Sequence, residues 1–270
     1  MQSDTKAAAT AHITASTPLI PAINAWKNFL TDHGRSRHTV NAFKADVTLL
    51  TEFLPPDRTL GAISTQDLER FLHWLQNGRG RPCSPKSLAR RVTSIKAFFR
   101  WLHQGGVLII DPAEKIVQQS VISPLPTVLE AEEIEAVMQA AESLNRGAKP
   151  DPRPLALVSL LLTTGIKKGE CLAISANHLD LEAPNGAFLF VRYTEPRNRY
   201  KERKIPLTPE LVKAYQEYAA QYHITDQVFP WSPRRLEYLL EELGQTAGLN
   251  KHLSFDMCRW TCALVDWRSG

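Results

Sequence analysis

The chain has 270 residues, of which 43% are hydrophobic and 22% are charged. This composition is typical of a globular protein of about two domains and excludes a fibrous or largely disordered chain. No apolar run is long enough to span a membrane, and the polar N-terminal segment has no apolar signal core, so we expect a cytoplasmic protein without a membrane partner. The four cysteines form no CxxC pair and have no histidine at ligand spacing, which predicts buried reduced thiols and no metal site.

The positive charge is concentrated in the first half of the chain, although the net charge is only +4. Residues 1–125 carry 15 Lys and Arg against 9 Asp and Glu, whereas residues 126–270 carry 17 against 19. No acidic residue lies between Glu69 and Asp111, a stretch that contains eight basic residues. Because a field of one sign suits a polyanion, we expect a nucleic-acid partner, with an ordinary solvated surface as the alternative.

Apolar spacing and capping signals predict four helices in the first half. The fourth begins at Ser84 and Pro85, a capping serine with proline at the first helical position. Its apolar stripe consists of Leu88, Val92, Ile95, Phe99 and Leu102. The other faces are basic and hydroxylic, as expected of a helix that lies in the major groove of DNA; a solvated surface helix is the alternative. The DNA contacts predicted on this helix are Lys86, Arg90, Arg91, Ser94 and Lys96.

The second half is predicted to be helical around one small sheet. A nearly all-apolar helix at 154–164 precedes two strand-like runs at 187–193 and 202–207, which are joined by the basic turn TEPRNRYK. Three further helices are predicted at 209–222, 233–247 and 254–267. The fold class is therefore mainly α with a small antiparallel β-sheet. The predicted organisation is a disordered tail (1–19), a helical DNA-binding domain (20–120), a linker (121–128) and a second domain (129–270).

Several segments, in this order, resemble those of the tyrosine recombinases, the phage integrase family. SPKSLARRVTSIKAFFRWLHQGG is similar to part of the family's SAM-like core-binding domain. LLLTTGIKKGECLAI resembles the segment that normally reads TG-x-R-x-x-E-L, and KERKIPLT resembles the strand after the catalytic-lysine hairpin. FDMCRWTCA resembles the segment that normally reads H-x-L-R-H/W-T. The resemblance extends over about residues 20–267 and implies a core-binding domain followed by a tyrosine-recombinase catalytic-type domain.

The resemblance implies action on double-stranded DNA in integration or site-specific recombination, as part of a mobile element and without a cofactor. Self-association, or a second recombinase protomer on the DNA, is the implied protein partner. In the family a tyrosine hydroxyl attacks a phosphodiester, and fixed cations stabilise the charge that grows on the phosphate oxygens. The catalytic positions carried over are Arg259, Lys167, Trp260, Asp256 and Lys201. The DNA contacts expected on the basic hairpin are Arg197, Arg199 and Arg203.

The sequence departs from the family pattern at several catalytic positions. Lys167 stands where the family has its first arginine, and it lacks the planar fork of a guanidinium. Asp256 replaces a histidine, and Asn198 falls near the position of the hairpin lysine, so Lys201 or a neighbouring arginine would have to substitute. No tyrosine follows Arg259, whereas the family nucleophile lies several tens of residues beyond that position.

The preferred interpretation is a DNA-binding family member that cannot cleave DNA by itself, either a truncated copy of a longer protein or the product of a decayed gene. The first alternative is an active recombinase whose tyrosine-bearing segment is absent from this chain or is supplied by a partner protomer. The second alternative is a helical protein-interaction adaptor that does not bind DNA and uses its apolar last helix as the contact.

Overall fold

A computed structural model of the chain describes residues 13–81, 83–118 and 124–270. The chain forms two compact units, Met1–Pro124 and Leu125–Gly270. The predicted linker lies partly outside the described residues, and the described boundary between the units falls within its range. Each unit has its own hydrophobic core.

The first unit is helical. Three of its helix starts are capped by serine: Ser36, Ser64 and Ser84 each accept a hydrogen bond from the backbone N–H three residues later. Pro85 occupies the first position of the fourth helix, as predicted. The helices are α1 (Leu19–Asp32), α2 (Arg37–Phe53), α3 (Thr65–Asn77) and α4 (Pro85–Gln104), with a 3₁₀ helix at Leu60–Ala62.

The core of the first unit is aromatic and is built largely on α4. Trp26 of α1 packs edge-on against Phe98, with their ring centroids 5.3 Å apart, and both rings are buried. The predicted apolar stripe of α4 faces this core, although Leu88 is only partly buried. Phe98 and Trp101 are also buried, so the buried face is wider than the stripe. A wide apolar face leaves fewer positions on α4 for solvent or a ligand.

Residues 13–19 do not behave as the disordered tail that was predicted for 1–19. Pro18 forms a β-bridge with Thr59, and the backbone N–H groups of Leu60 and Gly61 donate to carbonyls of Thr17 and Ala15. Leu19 is buried at the start of α1. Small polar residues in this segment favour disorder, but hydrogen bonds with residues 59–61 satisfy its backbone carbonyl groups. Residues 1–12 lie outside the described residues.

The second unit surrounds the apolar helix predicted from the sequence. This helix, α6, contacts α5, α8 and α10, and seven of its residues are buried. Burial on several sides explains why its sequence shows no polar face. The helices of this unit are α5 (Ala131–Arg146), α6 (Arg153–Thr164), α7 (Lys168–Leu172), α8 (Pro209–Tyr222), α9 (Pro233–Thr246) and α10 (Phe255–Ser269).

A three-stranded antiparallel sheet lies in the second unit, in the order β1 (Leu179–Asp180), β2 (Phe188–Val191) and β3 (Arg203–Pro206). The two predicted strands are β2 and β3, and each is shorter than its prediction. The two-residue β1 is not among the predicted strands. The basic turn between β2 and β3 forms a 3₁₀ helix, Pro196–Lys201. In the part of the chain that the structure describes, no helix is both long and apolar enough to cross a membrane.

Candidate functional site

A glycine turn at the end of α6 organises the predicted catalytic region. Gly165 has a left-handed backbone, with φ of +56°, and a Cβ atom there would lie 3.1 Å from Sγ of Cys262. Both facts favour glycine at this position. The Gly165 carbonyl accepts a hydrogen bond of 3.2 Å from Arg259 on α10. The turn thereby connects the loop that carries Lys167 to the helix that carries Arg259.

Four of the five predicted catalytic residues line one open pocket of about 330 Å³: Lys167, Lys201, Arg259 and Trp260. The fifth, Asp256, is exposed in the first turn of α10 and is not one of the lining residues. The helix dipole favours an acidic residue in the first turn of a helix. This effect explains Asp256 at this position without any contact to a phosphate. The structure thus brings the predicted cations together and leaves Asp256 outside the pocket.

Glu170 is the hydrogen-bonding centre of this pocket, and it is not among the site residues predicted from the sequence. Its carboxylate accepts two hydrogen bonds from Arg203, at 3.0 and 2.9 Å, one of 2.8 Å from the backbone N–H of Lys167, and one from the Tyr193 hydroxyl. The side chain is 3% exposed. Burial alone raises the pKa of Glu170, but these donors outweigh burial and lower the pKa to about 2. The sequence does contain a signal for Glu170, because this residue is the glutamate of the segment that resembles TG-x-R-x-x-E-L.

Arg203 was predicted to contact DNA from the hairpin, and the structure places it in the pocket. Its guanidinium is bound to Glu170 through both terminal nitrogens, while 38% of its side chain stays exposed. Burial of the carboxylate makes this forked pair a fixed part of the pocket wall. Arg203 is thus a second guanidinium near Arg259, at a position where the sequence suggested a loose surface contact.

The 3₁₀ helix at the hairpin tip presents the other predicted hairpin cations. The Lys201 ammonium donates to the Asn198 side chain at 2.9 Å and lies 5.1 Å from the centroid of the Tyr200 ring. Arg197 is exposed and pairs with Glu195 at 2.8 Å, and Arg199 is exposed. Asn198, which falls near the family's lysine position, therefore orients Lys201, and Lys201 supplies an ammonium to the pocket beside that of Lys167.

Tyr193 is the tyrosine that lines the pocket, and its hydroxyl is already engaged. The Tyr193 hydroxyl donates a hydrogen bond to the Glu170 carboxylate. Burial raises the pKa of Tyr193, and the neighbouring negative charge of Glu170 raises it further. A phenol in this setting resists ionisation and has a carboxylate, not a phosphate, as its partner.

On α4, the predicted DNA contacts are largely occupied by partners within the first unit. Arg90 pairs with Asp46 of α2 at 2.6 Å, and Arg91 approaches the same carboxylate at 3.7 Å. Ser94 is fully buried and donates to Asp46 at 2.8 Å, which corrects its prediction as a DNA contact. The Lys96 ammonium donates to backbone carbonyls at 3.1 and 2.7 Å. Lys86 is exposed.

Asp46 is the residue that the charge analysis missed. The stretch from Glu69 to Asp111 has no acid of its own, but the fold supplies one from α2. Asp46 is 2% exposed, and burial raises its pKa, although Ser94, Arg90 and Arg91 act in the opposite direction. No local pattern indicates this pairing, because the partners are more than 40 residues apart along the chain.

Comparison with known proteins identifies the family of both units. Residues 23–106 match the model of the phage integrase N-terminal SAM-like domain, and residues 127–265 match the model of the phage integrase family. The chain belongs to the phage integrase family, the tyrosine recombinases. These matches confirm the predicted family and fold class.

Curated relatives of this tyrosine recombinase include bacterial Xer proteins. Tyrosine recombinase XerC of Xylella fastidiosa is 25% identical over 240 residues, which cover 86% of this chain and 78% of the relative. XerC of Mycobacterium bovis is 34% identical over 151 residues, or 54% of this chain and 49% of the relative. The similarity therefore extends over most of the chain and is higher over a shorter part of it.

Solved structures of tyrosine recombinases share the fold. A lambda integrase dimer bound to a COC' core site superposes with a TM-score of 0.71 at 16% identity, covering 94% of this chain and 71% of that chain. XerH bound to a palindromic difH substrate, in a post-cleavage complex, gives a TM-score of 0.70 at 18% identity, covering 93% and 73%. At these identities the likeness concerns the fold.

Proposed function

We propose that this chain binds duplex DNA as a tyrosine recombinase of the site-specific recombination class and does not cleave a strand by itself. The observation that carries the proposal is the pocket of the second unit. Four cations line it (Lys167, Lys201, Arg203 and Arg259), while its tyrosine is hydrogen-bonded to Glu170. Such a pocket can hold a phosphate but offers no free phenol to attack it.

Phosphate binding fits the charge and geometry of this pocket. Guanidinium and ammonium groups donate charge-assisted hydrogen bonds to phosphate oxygens, and Arg203 is held in place by Glu170 before any ligand arrives. The two acids that line the pocket are Glu170 and Asp266. Glu170 is already hydrogen-bonded to Arg203, Tyr193 and the backbone of Lys167. The electrostatic field that a ligand meets in the pocket therefore stays positive.

The cleavage-deficient part of the proposal rests on two substitutions and on Tyr193. Lys167 stands where the family has an arginine, so a single ammonium replaces the forked guanidinium. Asp256 stands where the family has a histidine, and it does not line the pocket. The principal alternative is an active recombinase in which a tyrosine from another protomer or segment enters the pocket. The convergence of the four cations favours this alternative over an adaptor without DNA binding.

The proposal also assigns a role to each domain, a protein partner and a cellular location. Residues 20–120 would serve as the core-binding domain and residues 129–270 as the catalytic-type domain, both on double-stranded DNA. The protein partner would be a second recombinase protomer, since a dimer on DNA is what the lambda integrase structure describes for that protein. We place the chain in the cytoplasm and in a mobile element as parts of this proposal.

Arg259→Ala should weaken duplex binding about 10- to 100-fold, because one charge-assisted phosphate contact is lost. The slope of log affinity against log salt should fall by about 0.9, the value for one phosphate contact. Fluorescence anisotropy with a labelled duplex at several salt concentrations measures both quantities. Arg268→Ala is the matched control, since Arg268 is exposed in the last turn of the same helix and does not line the pocket. Equal slopes for wild type and Arg259→Ala would contradict a phosphate in this pocket.

A further inference from the structure

Asp266 is the second acid of the pocket, and its setting differs from that of Glu170. It lies near the end of α10 and lines the pocket together with Arg259. Glu170 is buried and accepts hydrogen bonds from Arg203, whereas Asp266 is exposed. Among the residues that the structure describes, the ion pairs of the second unit do not include Asp266. A carboxylate without a cationic partner therefore borders the space that a ligand would enter.

The thiol of Cys262 holds the Asp266 carboxylate at the wall of the pocket. Cys262 lies one turn earlier on α10, and its thiol donates to Oδ2 of Asp266 over 3.7 Å. Cys262 also lies against the Gly165 turn, whose carbonyl accepts the hydrogen bond from Arg259. Burial raises the pKa of the Cys262 thiol, and the Asp266 carboxylate raises it further, to about 11, whereas the charge of Arg259 acts in the opposite direction. The carboxylate and the guanidinium thus both act on one thiol of the pocket wall.

The charge of Asp266 acts differently on anions of one and of two charges. Four cations and two acids line the pocket, so an anion of either kind is attracted. Coulomb energy is proportional to the product of the charges, so Asp266 repels a dianion about twice as strongly as a monoanion at the same position. A dianion also loses more hydration energy when it enters the pocket. Asp266 therefore reduces the advantage that the four cations give to a dianion.

We propose that Asp266 makes the pocket selective for a phosphodiester against a phosphate monoester or inorganic phosphate. This inference rests on the proposed function and names the class of phosphate that the pocket accepts. An internal phosphodiester of DNA carries one negative charge, whereas a terminal phosphate carries nearly two at neutral pH, since its second pKa is about 6. The cations of the pocket attract both groups, and Asp266 opposes the second charge of the terminal phosphate. Strand ends and inorganic phosphate then compete less with the DNA backbone for the pocket.

The test measures how tightly the full chain binds two small probes, inorganic phosphate and diethyl phosphate, by phosphorus NMR line broadening at constant ionic strength. At about pH 8.5 the first probe is a dianion and the second a monoanion. Asp266→Asn removes one negative charge and keeps the size of the side chain. The ratio of the diethyl phosphate Kd to the inorganic phosphate Kd should rise about 3- to 10-fold in this variant, the effect of one interaction between unit charges near the protein surface. Glu210→Gln is the matched control, because Glu210 is an exposed acid of α8 that does not line the pocket, and it should keep the wild-type ratio.

Arg259→Ala separates this inference from the proposed function on which it rests. Both probes should bind that variant less tightly than the wild-type chain, because Arg259 lines the pocket. If they do, a wild-type Kd ratio in Asp266→Asn, or equal gains for the two probes, overturns the selectivity and leaves the phosphate pocket standing. Equal binding of both probes by the wild-type chain and Arg259→Ala overturns the phosphate pocket and this inference together. Thermal unfolding verifies that Asp266→Asn keeps its fold, as expected for an exposed side chain.

Discussion

Replacing Arg90 and Arg91 together by alanine is expected to destabilise the first unit by about 3–5 kcal/mol, the usual cost of leaving a buried charge without its partner. Asp46 is 2% exposed and pairs with both guanidinium groups, so the double variant leaves the carboxylate with Ser94 as its remaining side-chain donor. Hydrogen exchange followed by mass spectrometry on the full chain measures the effect, since protection of α2 and α4 reports on this unit alone.

The triple variant Asp46→Asn/Arg90→Ala/Arg91→Ala separates this cause from a general loss of packing. Removing the carboxylate charge should recover most of the lost stability. The pKa of Asp46 is raised in the folded state, so its contribution to stability increases as the pH falls through that pKa, and the gap between double and triple variants should close in acid. Wild-type protection of α2 and α4 in the double variant at neutral pH would show that the Asp46 pairing is dispensable.

This result also changes how DNA binding by α4 should be tested. Loss of binding in the Arg90 and Arg91 double variant has two explanations, because the same side chains stabilise the fold. Lys86 is exposed and is the better target. A specific phosphate contact there predicts a reduction of the salt slope by about 0.9 without a change in stability.

Glu170→Gln is expected to destabilise the second unit by roughly 2–4 kcal/mol at pH 7, since it removes the charge from a buried, four-fold hydrogen-bonded acceptor. The pKa of Glu170 is about 2 in the folded protein, below its ordinary value of 4.5. The charged form therefore contributes its full stability above about pH 4.5, and this contribution is lost as the pH falls through about 2. The difference between wild type and variant should shrink across that window.

The matched control for this prediction is Glu237→Gln, because Glu237 forms an exposed ion pair with Lys168. Exposed pairs contribute about 0–1 kcal/mol, so the control should unfold close to wild type. Denaturant unfolding with hydrogen exchange at residues 165–175 measures both variants. Equal effects of the two substitutions at pH 7 would mean that the Glu170 network does not organise the pocket.

Local patterns predicted the helices, and they did so for identifiable reasons. Ser84 and Pro85 are capping signals that act within one turn, and the apolar stripe of α4 is a periodicity of a single helix. The all-apolar α6 was recognisable as a buried helix without knowledge of its neighbours. The β2–β3 hairpin was visible as two β-rich runs around a basic turn, whereas β1, with two residues, is too short to produce a pattern.

The chemistry of the site was predictable only where a family motif indicated it. Lys167 and Arg259 were located through their segments, and the pocket brings them together. The roles of Glu170 and Asp46 depend on which distant side chains the fold places beside them. Arg203 and Arg90 looked like surface cations in the sequence because their buried acidic partners lie more than 30 residues away. Tertiary pairing of this kind leaves no local signal.

The most direct test of the central claim uses a labelled duplex with a nick beside the expected cleavage position, which traps covalent recombinase intermediates. Binding and covalent protein–DNA adduct are scored in parallel for the wild-type chain and for Lys167→Arg. We expect salt-dependent binding with no adduct for either protein, because a guanidinium at position 167 supplies no nucleophile. A covalent adduct formed by the chain alone would contradict the account and would mean that one of its tyrosines attacks DNA.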